Sequence, residues 1–235
     1  MPETVLVTGA NRGIGFAVAK VYAESGDKVF AACRQPEKAE ELKKLQKSHP
    51  GLVEPVALEV DSDDSVQAAA KVVAGKSAHL DALINMAGIM PGKYDSKLED
   101  LDFKYCREAY ETNVLGCLRT AKFFLPLLRK AKGARIVNVT SGLGSISGTD
   151  NPNFYAYGAS KSALNKVSRT LAFELKKDNI VCVALDPGWV KTDMGGPNAW
   201  LTPEQSSTAI VKTVKGLTMD RTSLFIYNDG KELNW

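Results

Sequence analysis

Three observations predict an α/β domain built on a doubly wound parallel sheet. Apolar segments of four to seven residues recur along the chain. They are near-continuously apolar instead of alternating, the pattern of strands covered on both faces. Between them lie stretches whose apolar residues repeat at helical spacing, so strand and helix alternate as in βαβ units with right-handed crossovers.

The first expected strand, residues 4–7, runs into a glycine-rich turn and then a helix striped by Ile14, Val18, Val21 and Tyr22. The second, 28–33, is followed by Arg34 and Gln35. The stretch 36–50 carries seven Lys or Glu among fifteen residues. With Leu42 and Leu45 three apart it reads as a solvated helix, not an interaction tail. Further strands are expected at 56–60, 82–85, 135–140, 181–185 and 224–227, about seven in all. A helix striped by Leu164, Val167, Leu171 and Leu175 precedes the sixth. No Pro/Gly/Ser linker, composition step or internal repeat divides residues 1–235, so a single domain is expected.

Thirty basic and 27 acidic side chains leave a net charge of +3, close to balance, and no nucleic-acid partner is expected. No apolar run approaches the ~18 residues of a membrane span. The start, Met-Pro-Glu-Thr-Val-Leu, lacks the basic and apolar regions of a secretory signal, so a cytoplasmic protein is expected. Cys33, Cys106, Cys117 and Cys182 show no C-x-x-C spacing and read as reduced core residues. His49 and His79 belong to no Cys/His cluster, so no metal site is expected.

The first strand leads into Thr8-Gly9-Ala10-Asn11-Arg12-Gly13-Ile14-Gly15. The spacing is G-x-x-x-G-x-G. Glycines there let backbone approach a pyrophosphate, while the following helix N-terminus offers unpaired N–H groups and a positive dipole end. At the end of the second strand an Asp or Glu would accept from a ribose 2′-hydroxyl, whereas a basic residue would pair with a 2′-phosphate. Arg34 stands there, with no carboxylate before Glu37, and Arg12 lies in the loop. Two guanidinium groups favour NADPH.

Tyr157 and Lys161, four apart in a helical segment, share one helix face. A phenol titrates near ~10, and an adjacent ammonium lowers that value, making a general acid for a carbonyl oxygen.

Over its whole length the chain resembles the short-chain dehydrogenase/reductase family. The matching segments are Thr8 to Gly15, Asn85-Met86-Ala87-Gly88, Thr112-Asn113-Val114-Leu115-Gly116, Ser141, Tyr157 with Lys161, and Asp186-Pro187-Gly188-Trp189-Val190-Lys191-Thr192. The stretch 187–199 and the ending 229–235 resemble the sniffer/C-factor-type carbonyl reductases of that family.

The resemblance implies a single Rossmann-type domain that reduces a ketone or aldehyde. Tyr157 would be the acid/base, and Lys161 would lower its pKa and hold the nicotinamide ribose. Ser141 would hydrogen-bond the substrate oxygen. Asn113, in a helix kink, would bind a water that relays protons through Lys161. Gly9, Gly13 and Gly15, with Asn11, Arg12 and Ile14, would surround the pyrophosphate. Arg34, Glu59 and Val60 would meet the adenosine end. Asn85, Ala87 and Gly88 would line the ribose side, with Pro187, Gly188, Val190 and Thr192 along the nicotinamide. Family members often form homodimers or homotetramers.

Two residues depart from the family pattern. Met86 replaces a second asparagine, and Glu59 stands where an Asp commonly meets the adenine amino group. Ser145 competes with Ser141: it lies twelve residues before Tyr157, nearer the family's usual spacing. Ser141 is preferred because the strand exit fixes its position and the loop 142–153 can absorb an insertion.

One rival reading is a catalytically silent NADP(H)-binding sensor or scaffold, which would have no use for Asn113, Ser141, Tyr157 and Lys161 together. Another is an epimerase or dehydratase on nucleotide sugars, but only about forty residues follow Thr192 to form its substrate domain. Trp189, Trp200, Met90, Tyr94 and Phe154 are candidates for an aromatic wall suited to a bulky, flat small-molecule ketone.

Overall fold

The computed structural model describes residues 2–92, 97–150 and 154–235. Seven strands form its sheet: β1 (Thr4–Thr8), β2 (Lys28–Cys33), β3 (Val53–Ala57), β4 (Ala82–Asn85), β5 (Arg135–Val139), β6 (Val181–Asp186) and β7 (Phe225–Tyr227). All pair in parallel, in the order β3-β2-β1-β4-β5-β6-β7. The order reverses between β1 and β4, which opens a crevice beyond the carboxyl ends of the strands.

Side chains alternate across the sheet, so each strand feeds two cores. On one face Val5, Val7, Val29 and Ile84 meet Val18 and Tyr22 of α1 (Gly13–Glu24), Leu42 and Leu45 of α2 (Glu40–Ser48), and Ile210 and Val214 of α7 (Pro203–Lys215). On the other Leu6, Phe30, Leu83 and Ile136 meet Val66 and Val73 of α3 (Asp63–Ala74), together with two further helices. Phe124 and Leu128 come from α5 (Gly116–Leu128), and Ala172 and Leu175 from α6 (Tyr155–Leu175). The near-continuous apolar strands are thus explained by cover on both sides. Among the described residues no helix is long and apolar enough to cross a membrane.

The third strand starts three residues earlier than the expected 56–60 and takes in Pro55. β3 is an edge strand paired only with β2, where a residue without an N–H is tolerated. Glu59 and Val60 therefore fall in the turn after the strand, and Glu59 N–H donates to Ser65 Oγ at 2.9 Å. Between α4 (Phe103–Tyr110) and α5 the helix widens into a π-helical turn, Glu111–Leu115, a distortion common at functional sites. Thr202 caps α7 in a capping box with Gln205, ahead of Pro203.

Candidate active site

The glycine loop closes tightly over the first turn of α1. Gly9 has φ +66°, and a Cβ on Gly15 would lie 2.3 Å from the Gly9 carbonyl oxygen. Neither position accommodates a side chain without moving backbone. Thr8 Oγ1 accepts from the N–H groups of Met86 and Ala87, each at 3.0 Å, tying β1 to the segment that leaves β4. A cleft of about 1070 Å³ runs beyond the strand ends from this loop to α6.

Of the residues expected at the cofactor, Gly9, Asn11, Arg12, Gly13, Ile14, Gly15, Arg34, Glu59, Val60, Ala87, Gly88, Tyr157, Lys161, Pro187 and Thr192 line the cleft. Lys38 and Asp61, not expected there, line it as well. Three residues depart from the expectation. Asn85 is buried, and its amide is spent inside the fold: it accepts from Thr120 Oγ1 at 2.7 Å and donates to Asn138 Oδ1 at 2.8 Å. Val190 is buried and bridges to Leu201. Gly188 turns away, its Cα facing Leu201 and the Tyr227 hydroxyl. Arg12 reaches the cleft already paired, with Nη1 2.5 Å from Asp193 Oδ2, and both side chains are exposed.

Tyr157 and Lys161 lie on the buried face of α6. Lys161 Nζ donates to the Val139 carbonyl at 2.9 Å and sits 5.6 Å from the centre of the Tyr157 ring. Burial pushes the Lys161 ammonium down to about 8 from its ordinary 10.5. It was expected to lower the phenol's pKa, but in the protein alone the balance runs the other way. Burial raises the Tyr157 pKa, the Ser141 hydrogen bond pulls it down, and the Asp186 charge raises it further. Gly88 lies against Asn113 and Lys161: a Cβ there would be 3.2 Å from Asn113 Oδ1 and 3.4 Å from Lys161 Nζ.

Asn113 occupies the π-helical turn and is fully buried. Its Oδ1 accepts from Ile89 N–H at 2.8 Å, and its Nδ2 donates to the Ile89 carbonyl and to Ser160 Oγ, each at 2.9 Å. The side chain is thereby committed to holding the segment after β4 against α6. A relay water would have to use the Asn113 main-chain carbonyl, which already accepts from Cys117 Sγ at 3.3 Å.

The two serines separate clearly. Ser141 leaves β5, accepts from Leu143 N–H at 3.2 Å and lies beside the Tyr157 phenol, whose pKa it draws down. Ser145 Oγ instead donates to the Asn234 carbonyl at 2.8 Å and accepts from Gly148 N–H at 3.0 Å.

The family model described as short chain dehydrogenase matches residues 3–200. The chain belongs to the short-chain dehydrogenase family. Its fold superposes on the carbonyl reductase Sniffer of D. melanogaster with a TM-score of 0.94, at 34% identity over all of both chains. An NADPH-bound carbonyl reductase from chicken fatty liver superposes with a TM-score of 0.92, at 36% identity over 100% of this chain and 99% of that one. The 1-hydroxy-2-glutathionyl-2-methyl-3-butene dehydrogenase of Rhodococcus sp. (strain AD45) is 32% identical over 99% of this chain and 100% of its own.

In this dehydrogenase the chain's last residues brace the segment that carries Ser141. The Trp235 carbonyl accepts from Ser147 N–H at 3.0 Å and Ser147 Oγ at 2.8 Å, while the Trp235 ring packs on Phe225 and under Arg169. Contacts across almost ninety residues of sequence left no local signal to read. Trp189 and Trp200 meet edge to face at 5.0 Å and are 43% and 70% exposed, offering apolar surface next to Pro187 and Lys191 of the cleft. Met90 and Phe154 are half-buried, and Tyr94 lies outside the described residues.

Ser141→Ala is expected to lower the reduction rate ~10²–10³-fold, the cost of losing one preorganised donor to a developing oxyanion. Ser145→Ala is expected to act on stability, through the lost tie to Asn234, and to change the rate little. Steady-state rates on both variants, each first shown to fold and bind cofactor, check this. A crippled Ser145→Ala with a near-normal Ser141→Ala would move the oxyanion donor by four residues.

Proposed function

We propose that this short-chain dehydrogenase reduces a ketone or aldehyde to an alcohol with NADPH, Tyr157 acting as general acid. The observation that carries the reading is the buried Tyr157 phenol on the cleft wall, with Ser141 beside it, Lys161 one helical turn on and the glycine loop lining the same cleft. A carbonyl reductase at 36% identity crystallised with NADPH, and a second similar reductase, support it.

The cleft fits a dinucleotide. Its volume is ample, the Gly9–Gly15 approach leaves backbone free to face a pyrophosphate at the α1 N-terminus, and Arg12, Arg34 and Lys38 supply positive charge. Bound there, NADPH supplies the hydride that reaches the carbonyl carbon. Ser141 and Tyr157 hold the carbonyl oxygen, and the phenol gives up its proton as charge develops on that oxygen. Lys161, beside the ring, keeps positive charge near the phenolate that results and the ribose hydroxyls. The exposed Trp189–Trp200 pair favours a bulky, flat substrate.

NADPH is expected to be preferred over NADH. A charge-assisted contact is worth ~1.5–3 kcal/mol, so each arginine sets at most ~10–100-fold discrimination. Arg12 shares its charge with Asp193, so Arg34→Ala is expected to cost more preference than Arg12→Ala, and the double variant to lose nearly all. Equal kcat/KM for the two cofactors in the unmutated protein would contradict this. Turnover of NADPH with a panel of bulky carbonyl compounds tests the reaction itself.

A further inference from the structure

Beyond the expected tetrad, a further titratable group lies beside Tyr157 and Lys161. Asp186 ends β6, and its Oδ1 accepts from Gly188 N–H at 2.9 Å. The same carboxylate lies against Gly142, its Oδ2 3.1 Å from where a Cβ on Gly142 would stand. It therefore joins the turn that follows Ser141 to the turn that follows β6, and these two turns flank the place where the substrate carbonyl must sit.

We propose that Asp186 is a positioning residue for carbonyl reduction: its carboxylate clamps the Ser141–Gly142 turn to the Pro187–Gly188 turn and sets a fixed negative charge beside Tyr157 and Lys161. The inference rests on the reaction proposed above. The charged and titratable groups around the carboxylate are Tyr157 and Lys161 of α6 and Tyr227 of β7, which pairs with Asp186 in register, and Lys161 also faces the Cys117 thiol of α5, which raises its pKa ahead of Asp186. Behind Tyr227 stand Asp229 and Lys231. Burial raises the Asp186 pKa, while the Gly188 and Gly142 N–H groups and the Lys161 ammonium draw it back. In return Asp186 raises the pKa of all three neighbours.

The sign of the effect follows. Removing the charge removes a stabiliser of the ammonium and a destabiliser of the phenolate, so Lys161 and Tyr157 both titrate at lower pH. Asp186→Asn keeps an acceptor for Gly188 N–H and loses the charge. In the free protein, NMR titration of lysine labelled at Cε, with Lys161 assigned by its loss in Lys161→Met, is expected to move down by about half a unit to one unit in Asp186→Asn. In the NADPH-loaded enzyme the alkaline limb of kcat is expected to move the same way, with kcat down about tenfold and NADPH affinity within about threefold. Asp186→Ala, which frees both turns, is expected to lose more kcat at the same thermal midpoint. A Lys161 titration unmoved by Asp186→Asn, or unchanged kcat with an unmoved alkaline limb, would overturn the inference. Absence of carbonyl reduction in the unmutated protein would instead defeat the proposed reaction, and the Lys161 titration would still report on the charge.

Discussion

Tyr157→Phe is expected to abolish carbonyl reduction, with a loss of at least ~10²–10⁴-fold, the usual contribution of a positioned proton donor. The variant removes one oxygen from a ring that stays buried on α6. Ser141, beside the phenol, still accepts from Leu143 N–H, so the turn keeps a local anchor. NADPH affinity is therefore expected to stay within a few-fold and the thermal midpoint close to that of the unmutated chain. Burst-free single-turnover rates with saturating NADPH, measured beside cofactor binding, check this. Near-normal turnover would sink the mechanism.

Lys161→Met is expected to lose both rate and cofactor affinity, because in the proposed mechanism one ammonium serves the phenol and the ribose side of the cleft. The rate loss is expected to approach that of Tyr157→Phe, and the affinity loss to be ~10–100-fold, the scale of a charge-assisted hydrogen bond. Its pH signature separates chemistry from folding. In the free protein Lys161 is depressed from 10.5 to about 8, so its charge, and the NADPH affinity that depends on it, is present below about pH 8 and lost above. Stability runs oppositely. Between about 8 and 10.5 the unfolded chain binds more protons at this lysine than the folded one, so its contribution to stability rises with pH across that window. Lys161→Met should remove both trends and should not lower the thermal midpoint, since it takes a desolvated charge out of the interior. A variant that binds NADPH normally with an unaltered pH dependence would contradict this role.

Much of the scaffold is legible in the chain, for local reasons. The apolar run of β1 feeding Gly9, Gly13 and Gly15 is a pattern that close backbone packing enforces, and the 2.3 Å that would separate a Cβ on Gly15 from the Gly9 carbonyl oxygen shows how little freedom it leaves. The spacing of Tyr157 and Lys161 places both on one helix face whatever surrounds them. What could not be read depends on partners distant in sequence. Asn85 resembles a cofactor ligand by position, yet Thr120 and Asn138 satisfy its amide in the core. Arg12 meets Asp193 across 181 residues, and Ser145 meets Asn234 across 89. The direction of the Tyr157 pKa follows from burial, which the i, i+4 pair with Lys161 does not reveal. The start of β3 depended on knowing that Pro55 stands at a sheet edge.

The most direct test is isotopic. The protein is incubated with NADPH carrying deuterium at the transferable position and with a bulky aromatic ketone, and the product is examined by mass and NMR. The account predicts the corresponding alcohol, one per NADPH consumed, with deuterium on the carbinol carbon and none formed by Tyr157→Phe. Binding of NADPH with no deuterated alcohol from any ketone or aldehyde in the panel would contradict it.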